Sequence, residues 1–145
     1  MPTLSGNTTH CLSTAALEIT GEPIEKLFLW GQSACALTVG REHHILTFGG
    51  FGGPGRHARR NYSLLVNPGS GLLTELKVTG SPSPRMGHTI TVVGNDIYVV
   101  GGRGGPSEIL NDIWVLERSN NRWSKVDCSG DFFRPRYCLD EILYI

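Results

Sequence analysis

The sequence predicts an all-β protein assembled from a four-stranded unit that repeats about every 50 residues. Three observations carry this prediction. A glycine-rich hexapeptide occurs twice, as Gly49-Gly50-Phe51-Gly52-Gly53-Pro54 and again, displaced by 52, as Gly101-Gly102-Arg103-Gly104-Gly105-Pro106. Short runs rich in Thr, Val and Ile alternate with Gly/Asn/Asp turns, and no segment holds the i, i+3, i+4 apolar spacing of a helix over three turns. Glycine fills 19 of the 145 positions, roughly twice its ordinary share of ~7%, without the three-residue period of a collagen.

Taken in order, residues 1–26 read as the end of a preceding unit or a linker, 27–80 as unit 1, 81–130 as unit 2, and 131–145 as the truncated start of a third unit with a divergent tail. Unit 2 is the clearer of the two complete ones. Gly87–Val93 is a Thr/Val-rich strand, Gly94-Asn95-Asp96 a turn, and Ile97-Tyr98-Val99-Val100 a second strand closed by Gly101-Gly102. Asp112–Leu116 supplies a third strand containing Trp114, Ser119-Asn120-Asn121 a turn, and Trp123–Val126 a fourth. In unit 1, Asn61–Val66 matches Asn111–Leu116 at a displacement of 50, and Leu73 stands where unit 2 has Trp123. Upstream, Gly31-Gln32-Ser33 matches Gly87-His88-Thr89 at 56, with the difference absorbed in the loop around Val39–His43. Leu17–Gly21, Leu76–Gly80 and Val126–Gly130 share an alternating pattern that ends in glycine, each followed by proline at Pro23, Pro82 and Pro135.

Charge narrows the function classes. Thirteen basic residues balance thirteen acidic ones, so no whole-molecule field draws the chain to nucleic acid or anionic lipid. The amino terminus lacks a basic stretch followed by an apolar run, which predicts a soluble, cytoplasmic protein with no membrane partner. Cys11, Cys35, Cys128 and Cys138 never form C-x-x-C and are expected as reduced thiols.

A repeat of this length, with a glycine doublet closing the second strand and a tryptophan opening the fourth, resembles the kelch repeat of β-propellers over roughly residues 29–136. The resemblance implies a kelch-type β-propeller fragment, two complete blades with partial flanking units, in which Gly49, Gly50, Gly101 and Gly102 crowd at strand ends and Trp114 and Trp123 pack blade faces. Three stretches, LFLWGQSA at 27–34, FGGFGGPGRHARRN at 48–61 and SPSPRMGHT at 81–89, resemble more narrowly the kelch region of the plant-type multidomain tRNA wybutosine-synthesising proteins. That family uses S-adenosylmethionine to elaborate a guanosine beside the anticodon of phenylalanine tRNA. The resemblance implies a transferase as parent; no residue of this chain is assigned to the cofactor or to catalysis. After Pro135-Arg136 the Gly-His or Arg-His step of a further kelch unit is missing.

Candidate chemistry is sparse. Gly50-x-Gly52-x-x-Gly55 satisfies a dinucleotide fingerprint, but Pro54 and the residues after it begin no helix to aim at pyrophosphate. Glu108-x-x-x-Asp112 resembles the carboxylate pair of kelch nitrile-specifier proteins, yet Leu116 stands where their third iron ligand would be, so no metal is expected and Asp112 reads as a turn residue bonding its own backbone. His43 and His44, adjacent in a strand, face opposite ways. His88 reads as a packed blade histidine. Arg56, His57, Arg59 and Arg60 form the one dense basic cluster, with no acid between Phe51 and Leu73 and no aromatic residues interleaved. They are the candidates for a tRNA contact or for docking against another module or a protein partner. The expected function is a noncatalytic binding scaffold from a wybutosine-synthesising protein; the alternative is a kelch interaction adaptor unrelated to tRNA modification.

Overall fold

The computed structural model describes residues 9–127, and strands dominate it. In chain order they are β1 Thr20–Gly21, β2 Ser33–Val39, β3 Glu42–Phe48, β4 Phe51–Gly52, β5 Ala58–Arg59, β6 Ser63–Val66, β7 Leu72–Glu75, β8 Thr89–Val93, β9 Asp96–Arg103, β10 Ile109–Glu117 and β11 Arg122–Lys125. Helix among the described residues amounts to one 3-10 turn at Ile24–Lys26. The Val126–Gly130 repeat, Cys128, Cys138 and the 131–145 tail lie wholly or partly outside the described residues.

Two sheets are successive blades of a partial β-propeller. Blade 1 runs β1-β7-β6-β3-β2 and blade 2 runs β11-β10-β9-β8; β2-β3-β6-β7 and β8-β9-β10-β11 are antiparallel meanders, β1 joins β7 in parallel, and β4-β5 is a small ribbon above blade 1. The turns predicted at Gly94–Asp96 and Ser119–Asn121 fall between strands, β8 and β9 pairing from Thr89↔Val100 to Val93↔Asp96 and β10 and β11 from Trp114↔Lys125 to Glu117↔Arg122. The extra residues around Val39–His43, expected as a loop, instead lengthen the β2–β3 hairpin, which pairs from Ser33↔Phe48 to Val39↔Glu42. Matching isolated bridges, Trp30↔Phe51 and Met86↔Arg103, recur one blade apart.

Strand alternation decides what the blades share. Leu46 and Phe48 from β3 meet Ile97 and Val99 from β9, Leu116 from β10 and Trp123 from β11, all buried in one cluster between the blades. Trp123 tilts against Phe48 with ring centroids 5.1 Å apart, so the blade tryptophan covers its neighbour as well as its own sheet. The opposite face of blade 1 carries a second cluster of Leu27, Leu64, Val66 and Leu73, the last in the position Trp123 occupies in blade 2.

Two features differ from the pattern expected of the sequence. The glycine doublets differ between the blades: β3 ends at Phe48, just before Gly49-Gly50, and the chain resumes as the separate strand β4, whereas β9 continues through Gly101-Gly102 to Arg103. What crowds Gly49 is the next blade, because a Cβ there would lie 2.5 Å from the His88 ring and 2.7 Å from the Arg85 carbonyl, at a φ of +69°. The glycine-ending segments, second, are outer-edge straps. Thr20 N–H donates to Gly71 O and Thr79 N–H donates to Asn121 O, both at 2.9 Å, so each segment runs parallel along the last strand of the blade that follows it. Such straps cover edges that would otherwise present unpaired backbone groups.

Candidate binding cleft above the blade junction

The stretch Phe51–Arg60 builds its own support. After the doublet the chain pairs Phe51 with Arg59 and Gly52 with Ala58, holding residues 53–57 as a loop above blade 1. Arg60 closes the loop from inside: Nε donates to Gly52 O at 2.9 Å, and Nη2 donates to Pro54 O at 2.8 Å and to Arg56 O at 2.7 Å. Its guanidinium also lies over the Tyr62 ring at 5.5 Å. The four candidates therefore divide. Arg60 is spent on three loop carbonyls, Arg56 and His57 are exposed, and Arg59 is half-buried over Phe51 with its Cζ 5.8 Å from the ring centroid. Arg59 Nε is buried and has no hydrogen-bond partner among the described residues. The His57 ring meets Phe51 edge-on at 6.2 Å, so an aromatic group is interleaved with the basic residues after all. The sequence hid this, because Phe51 lies eight positions from Arg59 and joins it only through the short β4–β5 ribbon that follows the doublet.

Phe51, Arg56, His57 and Arg59 line one wall of a cleft of about 540 Å³; Ser83, Pro84 and Glu108 of blade 2 contribute to the other. An exposed carboxylate thus enters a site that looked purely basic in sequence. A larger cleft, about 880 Å³, opens among the β2–β3, β8–β9 and β10–β11 turns and includes Arg118 and Asp96.

Beside the upper cleft, one buried ion pair braces blade 2 and one histidine crosses from blade 2 to blade 1. Arg85 is fully buried and grips Asp112 with both arms, Nη1 to Oδ1 at 2.6 Å and Nη2 to Oδ2 at 2.9 Å, while Nη1 also donates to Gly101 O. Asp112, expected as a turn residue at a strand start, lies within β10 at a bulge between Leu110 and Ile113, and there its carboxylate also accepts from Trp114 Nε1. Burial works to raise the Asp112 carboxyl, but the hydrogen bonds from Arg85 and Trp114 outweigh it and hold the group below its ordinary value. His88 crosses the junction, its Nε2–H donating to Phe48 O at 3.0 Å with Ser33 Oγ beside the same nitrogen. Burial, reinforced by the Arg85 charge and opposed by the Phe48 hydrogen bond, lowers its pKa to about 4.

Sequence reasoning passed over Arg85. Unit 1 offers no cue for it, since Leu29 and Tyr62 stand where unit 2 has Arg85 and Asp112. The dinucleotide reading of Gly50–Gly55 meets a two-stranded ribbon in place of a helix. His43 lies near Thr38 Oγ1 at 3.4 Å, and His44 Nδ1 is buried without a partner among the described residues. Among those residues no helix is long and apolar enough to cross a membrane.

The family described as the KLHDC2/KLHL20/DRC7 Kelch-repeats domain matches residues 3–143. This chain belongs to the kelch-repeat family. Its kelch sequence is 98% identical over 137 residues to the tRNA wybutosine-synthesizing protein 2/3/4 of Oryza sativa subsp. japonica, covering 94% of this chain and 13% of that protein. It is 52% identical over 121 residues to the protein of the same name in Arabidopsis thaliana, covering 83% and 12%. Kelch sequence is also shared with the Rho GTPase-activating protein gacHH of Dictyostelium discoideum, 31% identical over 127 residues, 87% of this chain and 8% of that one. The chain therefore spans about an eighth of the wybutosine-synthesizing relatives.

Proposed function

We propose that this chain is a noncatalytic kelch scaffold from a tRNA wybutosine-synthesizing protein, a cytoplasmic transferase that draws on S-adenosylmethionine held elsewhere in the parent. The observation that carries the reading is the 98% identity to the rice protein along 137 residues. Its strands and buried residues supply blades, and its upper cleft offers Arg56 and Arg59 as charges to hold tRNA or a neighbouring module. Arg60 belongs to the loop's framework. A scaffold acts by raising the effective concentration of what it holds at the catalytic module.

Complementation tests this. Cells lacking the parent protein receive the full-length form, or a form with Arg56→Ala and Arg59→Ala, and wybutosine in phenylalanine tRNA is measured by mass spectrometry with immunoblot correction for protein level. Reduced modification at equal protein level is expected; unchanged modification overturns the assignment of this face. Binding of S-adenosylmethionine by the parent should be the same in both.

A further inference from the structure

We infer that the upper face of blade 1 is a stacking platform for unpaired RNA nucleotides, with Trp30 and Phe51 as the surfaces on which bases lie and Arg56 and Arg59 as the phosphate contacts. This rests on the scaffold reading only for where the RNA comes from; the platform stands on strand register.

Phe51 bonds Trp30 on one side and stands opposite Arg59 on the other. Trp30 N–H donates to Phe51 O at 3.0 Å and Phe51 N–H donates to Trp30 O at 2.8 Å, while on the other side Phe51 pairs directly with Arg59. Directly opposed residues of antiparallel strands share a face. Trp30, at an isolated bridge, and Phe51 and Arg59, in the β4-β5 ribbon, therefore form one row, spanning about 10 Å at the ordinary strand spacing. Among the described residues Trp30, 79% exposed, is second only to Leu12 at 97% among the large apolar side chains. Arg59 already lies over Phe51, and His57 fixes the edge of the same ring. Among the described residues neither Arg56 nor Arg59 has its guanidinium in an ion pair or hydrogen bond.

This combination selects its ligand. Cations alone would suit an acidic peptide as well as a phosphate, but an acidic peptide gives the two aromatic surfaces nothing to stack. Unpaired nucleotides use both, since every base has a flat face and every linkage a charge. A duplex hides its bases and offers only phosphates. Glu108 on the facing wall leaves the anion to the Arg56 and Arg59 side.

The test uses the 145-residue chain with an unstructured single-stranded RNA octamer, an RNA duplex and a poly-aspartate peptide, following intrinsic tryptophan fluorescence. Trp123 is buried and Trp114 half-buried, so quenching on base stacking reports Trp30. The octamer should quench fluorescence and bind more tightly than the duplex. Phe51→Leu, which keeps an apolar side chain but removes the ring, should weaken binding by about tenfold. Trp30→Ala, at an exposed site, should abolish the quench, and Arg56→Ala should flatten the salt dependence by about 0.7 in log–log slope. Equal binding of duplex and single strand with no effect of Phe51→Leu, preferential binding of poly-aspartate, or no binding to any probe would each overturn the inference. No arm reads wybutosine, so its failure is distinguishable from failure of the scaffold reading.

Discussion

Acid should loosen the joint between the blades through His88, and the size of the effect follows from its surroundings. In the folded chain this imidazole titrates near 4 in place of 6.5, chiefly because it is buried and then because Arg85 adds a like charge. The unfolded chain takes a proton as the pH falls through 6.5, and the folded chain refuses it until about 4. Protons therefore favour the unfolded state throughout that interval. His88 leaves stability intact above pH 6.5, removes it progressively down to pH 4, and costs nothing further below. The depression is worth about 3 kcal/mol, a large part of the ~5–15 kcal/mol that holds a typical domain together. Asp112 acts in the same direction but lower, its contribution being present above 3.8 and lost as the pH falls through its folded value. Urea unfolding followed by tryptophan fluorescence, at intervals from above pH 6.5 down to pH 4, should show a falling midpoint with a constant slope. His88→Asn supplies a side-chain N–H that does not titrate, so its stability should be nearly flat over that interval even from a lower starting point. A wild-type profile that is flat there, or an equal decline in the variant, would refute the account.

Further perturbations separate the other forces at the junction. Asp112→Ala strands the fully buried Arg85 guanidinium and should cost about 3–5 kcal/mol, whereas Arg85→Met with Asp112→Leu should recover most of that in the same urea assay. Gly49→Ala and Gly40→Ala impose the same left-handed strain of about 1–2 kcal/mol, since their φ angles are +69° and +64°. Only Gly49 would also clash, so thermal denaturation should show Gly49→Ala to be clearly the worse; equal losses would mean that the blades can move apart. Cys35, pushed up to about 11 by burial against the opposing charge of Arg118, should resist alkylation at mildly alkaline pH in peptide-resolved mass spectrometry, with the exposed Cys11 modified first.

Much of the fold is legible in the sequence because repetition supplies its own control. The doublets and the strand runs around them recur at nearly matching offsets, and the strands they mark take matching places on the two blades, β3 with β9 and β6 with β10. What stays hidden are relations between positions that do not repeat. Arg85 and Asp112 are 27 residues apart and have no counterparts in blade 1, so neither periodicity nor spacing joins them. The basic cluster is visible as composition, but its division into a loop-closing Arg60, an exposed Arg56 and an Arg59 half-buried over Phe51 depends on which carbonyls the loop turns inward. Trp30 reads as one more apolar residue in a strand approach until register sets it beside Phe51.

The straps have a bearing on how such a protein can be enlarged or cut. Because the segment Leu76–Gly80 follows the fourth strand of blade 1, with Leu76 still bonded within that blade, but bonds the fourth strand of blade 2 through Thr79, the heritable module does not begin at the proline after the glycine. A gene segment copied from residue 81 would encode a blade with a raw outer edge, whereas one copied from residue 76 carries its own seam. Tandem growth of these rings is therefore expected to preserve breakpoints upstream of the strap. Engineered blade arrays joined there should stay soluble where arrays joined five residues later aggregate.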